Sequence, residues 1–539
     1  MKLFKNSLKK LSLSFLFFAA IIGCKEDSFI IDIEDMPVPI SQILRGVEIE
    51  VDPSGYNPLA AYINLDMYSG QEVSDVLIRV IGKNGVASDV NASESITDTV
   101  PQLTILGLYG NYDNQVELTF LKGNGFALSD TIITITTAAL SNDLPTITID
   151  VPASTNWEGK MQLVSYWGAD EILPINFFAQ MPFMMDQFGD IRWYLDYSNH
   201  PDLSGMNYNN GIELLTNGNL FFGTGASAAV GSPNSPDAIF EIDRLGNIVN
   251  QWDMPGYQPH HEVLEKPDGN FLVTATKFSA PTIEDFLIEI DRTSGAIIKE
   301  WDLRECLDYD RQTFTNDEAD WLHVNGIAYD QSDNTIIVSG RTQGVFKVDY
   351  NNKAKWILSP HRNWGNSGNG HDLTSVLLMP LDDAGTAVTD TSLLNGWTRT
   401  DYFDWTWGQH APKILPSGNL LLFDNGDNRN FAGNSPDVAF SRAVEYNINE
   451  TNLTVQQTWD YGESLGFDGF SEIVSDADYL EETNSVSITF GSVIQSGDYG
   501  KIIEVNRATN QVLFETTIKA PNAFFSLLTM HRSERMPLY

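Results

Sequence analysis

Leu215-Thr-Asn-Gly218-Asn219-Leu-Phe-Phe222 returns, slightly altered, as Glu265-Lys-Pro-Asp-Gly269-Asn270-Phe-Leu-Val273 and as Leu415-Pro-Ser-Gly418-Asn419-Leu-Leu-Leu-Phe423. Each copy reads as a strand, a tight Gly-Asn turn and a second strand. Asp330-Gln-Ser-Asp-Asn334-Thr-Ile-Ile-Val338 is a variant with a longer turn. A second hairpin follows each first one. Ile239-Phe-Glu-Ile-Asp243 leads through Gly246 to Trp252, Leu287-Ile-Glu-Ile-Asp291 through Gly295 to Trp301, and Val444-Glu-Tyr-Asn-Ile448 to Trp459. Two hairpins make one four-stranded blade. Blades are expected near 160–200, 210–255, 260–305, 323–360, 410–462 and 470–520. The fold predicted is all-β, a six-bladed β-propeller over residues 151–539. The repeat is interrupted once, from Ser359 to Trp407, by a long insertion of the kind that often covers an active site.

Upstream, residues 41–150 alternate apolar and polar in short runs such as Val47-Glu48-Ile49-Glu50-Val51 and Val116-Glu117-Leu118-Thr119-Phe120. They predict a small N-terminal β-sandwich with no chemistry of its own. Residues 24–40 read as a tether. Before them, Lys2, Lys5, Lys9 and Lys10 precede an apolar run from Leu11 to Ile22 that is too short to span a membrane. The run ends in Ile21-Ile22-Gly23-Cys24, which resembles a lipobox. Residues 1–23 are therefore expected to be a lipoprotein signal peptide, with Cys24 the acylated residue and a lipid anchor holding the chain to a membrane. Lys25-Glu26-Asp27 resembles the acidic tag that exports some Gram-negative lipoproteins to the cell surface. The expected location is the outer membrane, on its periplasmic side or outside.

The chain has 539 residues, two cysteines and a formal charge of -40. With Cys24 acylated, Cys306 is alone and no intramolecular disulfide forms. So acidic a surface argues against nucleic acid as a partner. It also draws attention to any cationic group set in a pocket.

The repeat locates such groups. Nine residues before the turn asparagine, Asn270 gives His261, Asn419 gives His410, Asn334 gives Asn325 and Asn219 gives Asn210. Four polar residues thus begin the strand that lines a propeller's central channel. His323 lies two before Asn325, and Arg341 faces His323 across the hairpin. His260, next to His261, is expected to point to the other face of its strand. His410, His261, His323 and Arg341 form the candidate catalytic set. Asn325, His260, Asn210 and Asn425 are the candidate substrate-binding residues, with Asn425 across the hairpin from His410. A three-histidine zinc site is the competing reading. An arginine beside the cluster and the lack of a carboxylate at equivalent positions count against it, so no metal and no cofactor is expected. Asp424-Asn-Gly-Asp-Asn-Arg429 lacks the spacing of a calcium loop.

These residues resemble the bacterial aryl sulfate sulfotransferases that do not use the nucleotide sulfate donor. The likeness rests on Trp321-Leu-His323-Val-Asn325, Ile336-Ile-Val-Ser-Gly-Arg341, Gln409-His410 and Phe423-Asp-Asn-Gly-Asp427. Ser441-Arg-Ala-Val-Glu-Tyr446, Val455-Gln-Gln-Thr-Trp-Asp-Tyr-Gly462 and Glu534-Arg-Met-Pro-Leu-Tyr539 extend it. It implies a six-bladed propeller, a histidine nucleophile at His410, and sulfate held by His261, His323, Arg341 and Asn325. The implied reaction passes a sulfuryl group from an aryl sulfate to a phenol through a sulfohistidine, with ping-pong kinetics. The chain departs from that family in its lipobox and in lacking a cysteine pair. The residue types suit the chemistry. An arginine offers a planar fork to two sulfate oxygens, a neutral imidazole attacks, and a further histidine protonates the departing phenolate. A surface propeller that only binds, or a sulfatase using water as acceptor, are the alternatives. Donor, acceptor and oligomeric state are not legible.

Overall fold

The computed structural model describes residues 36–539 except 71, 98–100, 171–175, 178–180, 202, 204–210, 225–236, 314–317, 494–498 and 522–525. The signal run, Cys24, the start of the tether and Asn210 lie outside the described residues.

Six sheets of four or five strands form the propeller. Their inner strands are Ser526–Pro537, Glu213–Leu214, Tyr257–Glu265, Val324–Asp330, His410–Ile414 and Asp476–Leu480, for blades one to six. The recurring Gly-Asn turn does the same work in three blades. Gly218, Gly269 and Gly418 take φ of 88°, 87° and 84°, a left-handed conformation that glycine reaches at no steric cost. Each donates its N–H to the residue three before it. In the fourth blade Asn334 supplies the positive φ instead, at 56°.

The tryptophans that end the second hairpins fasten one blade to the next. Trp193 Nε1 donates to Arg244 O at 2.6 Å, Trp252 to Arg292 O at 2.8 Å and Trp301 to Asp349 O at 3.1 Å. Trp356 donates to Glu450 Oε1 at 3.1 Å and Trp459 to Asn510 Oδ1 at 2.8 Å. In every case the donor sits on the fourth strand of one blade and the acceptor in the turn before the fourth strand of the next. Four of the indoles are buried and Trp459 is half-buried, while each N–H finds a carbonyl, carboxylate or amide oxygen.

The ring closes twice. The C-terminal strand Ser526–Pro537 pairs with Lys160–Asp170 as the inner strand of blade one. Thr146–Val151, which straddles the boundary drawn at 150, pairs with Val512–Lys519 as a fifth, outer strand of blade six. Neither exchange was visible in the repeat, because both strands lie outside its period. The insertion after Ser359 lies along blades four and five. Met379–Pro380 adds a parallel edge to Thr454–Tyr461, and Leu393, Phe403, Trp405 and Trp407 are buried.

The N-terminal domain is two sheets face to face, one of three strands and one of four. Ala61, Ile63 and Leu65 alternate inward from one sheet and Val116, Leu118 and Phe120 from the other. Val47, Ile49 and Val51 alternate too, yet on the edge strand Leu44–Val51 they stay 41%, 38% and 37% exposed. Arg192 of blade one joins the two domains. It is fully buried and donates to Gly107 O, Ser88 O, Tyr109 Oη and Asp186 Oδ2 at 2.6–3.0 Å. No helix among the described residues is long and apolar enough to cross a membrane.

Arg192→Met should leave the Asp186 carboxylate and two carbonyls buried without their donor. The expected cost is about 3–5 kcal/mol, read as a clear fall in the midpoint of thermal or denaturant unfolding. An unchanged midpoint would show that the domains hold together without this contact.

Candidate active site

The inner strands of blades one, three, four and five each lose regular register near a histidine. Pairing shifts between Met530 and Ser533, Pro259 and Val263, Val324 and Gly326, and His410 and Lys413. His261, His323 and Ala411 have φ of 57°, 53° and 50°. A bulge ends the strict in-and-out alternation and re-aims side chains. Here it gathers His260, His261, His323, His410 and His531 around one channel mouth. His260 is the clearest consequence. Expected on the other face of its strand, it instead stacks edge-on against His261, with ring centroids 3.9 Å apart, and lies 5.6 Å from the His323 ring.

The rings form a chain. His531 Nε2 is 3.0 Å from His261 Nδ1, and His261 Nε2 is 3.0 Å from His323 Nε2. The His261 and His410 centroids are 5.6 Å apart. His323 Nδ1 bonds the Asp320 carboxylate at 2.9 Å, so Nδ1 carries the hydrogen. Glu284 stands at ion-pair distance from two rings, 3.0 Å from His260 Nε2 and 2.9 Å from His323 Nδ1. Burial opposes a charged His323 ring, but the charge of Glu284 and the bonds from Asp320 and Glu284 raise its pKa to about 9. His261 is driven the other way, well below the usual value, by burial and by its neighbouring histidines.

His410 is held differently. Its Nδ1 is 2.8 Å from Asn425 Oδ1 and 3.0 Å from Gly408 O. Asn425 uses its Nδ2 to donate to Ser471 O at 2.8 Å and Val474 O at 3.0 Å, so its oxygen must face the imidazole. Both partners of Nδ1 are acceptors, and Nδ1 therefore bears the hydrogen. Nε2 is left with its lone pair. Burial lowers the His410 pKa well below 6.5, and the charges of Arg341 and His323 add to this against the Asn425 bond. Asn425, read from sequence as a substrate contact, is fully buried and orients the ring.

Arg341 arrives beside His410 through the junction of blades four and five. Its N–H donates to His323 O at 3.0 Å, the cross-strand neighbour relation read from register. The Gln409 amide donates to Gly340 O at 3.0 Å, which draws the residue before His410 to the residue before Arg341. Asn325 strengthens this junction. Its Nδ2 donates to Gln409 O at 2.8 Å, and its side chain is wholly buried. The guanidinium reaches Asp427 Oδ2 at 3.4 Å and is a quarter exposed.

Three groups escaped the sequence reading. His531 comes from the C-terminal strand. The signal was there, since blade one as counted lacked a Gly-Asn hairpin to supply its first strand. Glu284 and Asp320 sit in loops, where no repeat equivalence exists. They bring two carboxylates to a cluster whose repeat-equivalent positions hold none. His260, His261, Glu284 and His323 offer donor atoms that all lie within 4.8 Å of one another, so a cation could be held there.

Comparison with known proteins gives the family. The family model described as Arylsulfotransferase (ASST) matches residues 152–524, and one described as Arylsulfotransferase Ig-like domain matches residues 48–138. The chain is 28% identical to the arylsulfate sulfotransferase AssT of Escherichia coli O6:H1, covering 87% of this chain and 89% of that protein. It is 28% identical to the protein of that name from Lelliottia amnigena, covering 87% and 90%. Among solved structures, a Bacteroides caccae protein of unknown function aligns over 70% of this chain and 99% of its own, at 11% identity and a TM-score of 0.38.

Asn425→Ala should free the His410 ring to exchange tautomers and lower turnover. In wild-type protein, nitrogen NMR of labelled histidine should show Nε2 of His410 unprotonated, and still so at about pH 6, where an ordinary histidine is largely charged. Titration of His410 at the ordinary histidine value would refute the orientation described.

Proposed function

The chain belongs to the arylsulfotransferase family, and on that footing we propose that it moves a sulfuryl group from an aryl sulfate to a phenol in two steps through His410. The observation that carries the reading is the pair of acceptors at His410 Nδ1, which leaves Nε2 as a neutral nucleophile in a ring 5.6 Å from that of His261 and close enough to feel the charges of Arg341 and His323.

In the first step the Nε2 lone pair attacks sulfur as the S–O bond to the aryl group breaks. The aryloxide leaves with the bonding electrons and takes a proton from the His261–His323 pair. The sulfated ring gains positive charge, which the Asn425 oxygen at Nδ1 stabilises. In the second step the phenol gives its proton back to the histidine pair, its oxygen attacks sulfur, and the N–S bond returns its electrons to Nε2. Arg341 spans two sulfate oxygens throughout, and positioning plus charge stabilisation account for most of the acceleration. Because Nε2 holds the sulfuryl group between the two steps, the first phenol can leave before the second enters, and donor and acceptor use one pocket in turn, which is the ping-pong pattern.

Asp427 competes with the substrate for Arg341. At 3.4 Å their contact is loose, so a bound sulfate displaces a weak pair. The lipobox-like run before Cys24 supports a membrane-tethered enzyme whose fold begins after the tether.

Incubation with an aryl sulfate alone, followed by rapid digestion and mass mapping, should place the sulfuryl group on His410. Label on another residue, or release of phenol without any acceptor at the full rate, would overturn the two-step reading. Arg341→Lys keeps the charge and loses the fork. Turnover should fall by about ten- to a thousandfold, and near-normal turnover would remove Arg341 from the sulfate site.

A further inference from the structure

We infer that His260, His261, His323 and Glu284 form a binding site for a single divalent transition-metal ion, and that its occupancy shuts off transfer by withdrawing His261 and His323 from the sulfate.

One donor atom from each of the four residues lies within 4.8 Å of the other three. Ligands about 2.0–2.1 Å from a tetrahedral zinc ion stand about 3.3 Å apart. His261 Nε2 and His323 Nε2 are 3.0 Å apart, and Glu284 lies 3.0 Å from His260 Nε2. Glu284 Oε2 is buried beside these nitrogens, 2.9 Å from His323 Nδ1.

The surroundings supply what such a site needs. Asp320 takes the Nδ1 hydrogen of His323 and His531 meets Nδ1 of His261, so both rings turn Nε2 inward and are held from behind. His260, His323 and Glu284 keep 19%, 14% and 12% of their side chains exposed, which gives an ion entry from the channel. The charge objection to a metal falls away, because Arg341 leans to Asp427 on the His410 side. Three imidazoles and one carboxylate favour zinc and its neighbours over calcium or magnesium, which prefer oxygen. Glu284, His261 and His323 also hold positive φ of 61°, 57° and 53°. Backbone strain kept at three of the four donors marks a site built for a purpose.

The binding half of this inference stands by itself, and the inhibitory half rests on the proposed function. Full-length protein freed of metal by chelator should take up one Co²⁺ per chain, with the intense visible absorption of a tetrahedral centre, and Zn²⁺ should displace it. Glu284→Gln and His260→Gln should each weaken Co²⁺ binding by about a hundredfold or more, with folding checked by circular dichroism. If Glu284→Gln does not fold, His260→Gln carries the test. No stoichiometric uptake, or uptake indifferent to both substitutions, overturns the site. In the activity arm, Zn²⁺ should inhibit transfer in competition with the aryl sulfate, and chelator should restore it. Chelated enzyme that is inactive until metal is added, or metal-loaded enzyme at full rate, overturns the inhibitory role. A chelated wild-type protein that transfers no sulfuryl group even with added metal defeats the proposed function and leaves the Co²⁺ result to be read alone.

Discussion

Everything at the channel mouth depends on how the ring is closed. Blade one takes its inner strand from the end of the chain, and blade six takes its outer strand from the residues just before blade one begins. Two strands from opposite ends of the propeller sequence thus bridge the same seam. Opening the ring at that seam requires both ladders to break together. This matters for chemistry because the closing strand carries His531 and Arg532. His531 meets His261, and Arg532 pairs with the buried Glu262 of blade three. The centre is therefore assembled only when the last residues of the chain have docked.

The charge arrangement is local and runs against the whole. A chain of formal charge -40 repels an aryl sulfate at a distance. Screening limits that repulsion to about 8–10 Å at ordinary ionic strength, and the mouth itself presents imidazoles and Arg341. His323 and His410, with ring centroids 5.0 and 5.6 Å from His261, are set in opposite states by their partners. Carboxylates at Nδ1 make His323 a lasting donor, whereas an amide oxygen and a carbonyl at Nδ1 of His410 fix a tautomer without adding charge. The difference between an acid and a nucleophile is here the difference between Asp320 with Glu284 and Asn425 with Gly408.

Much of this was legible because a propeller repeats. The Gly-Asn turns set the register of the hairpins, and counting back from them found His261 and His410. The pairing of positions 323 and 341 held in the backbone bond from Arg341 to His323. What failed did so for one physical reason. Counting assumes that strands alternate, and the bulges at Pro259–Val263 and Val324–Gly326 suspend alternation where the side chains matter. His260 was therefore assigned to the wrong face. Asn325 met the counting rule but serves the blade junction, because its amide is taken up by Gln409 O. Glu284 and Asp320 belong to loops, and His531 to a strand displaced by the length of the propeller. A period of one blade cannot report any of them.

The strain at the mouth has a cost that the rest of the fold must cover. His261, Glu284, His323 and Ala411 all hold left-handed φ without being glycine, and each such residue costs on the order of 1–3 kcal/mol. A set of four would exhaust a large share of the 5–15 kcal/mol by which domains are stable. The offset lies away from the site, at the rim. Five indole N–H groups reach across to the next blade, and their rings lie in the apolar layers between sheets. The rim can be optimised for packing because no substrate reaches it. The centre is free to adopt bulged, strained strands because the rim fixes each blade at its far edge. This division explains why the inner strands lose their regular register near the channel mouth, where the histidines stand.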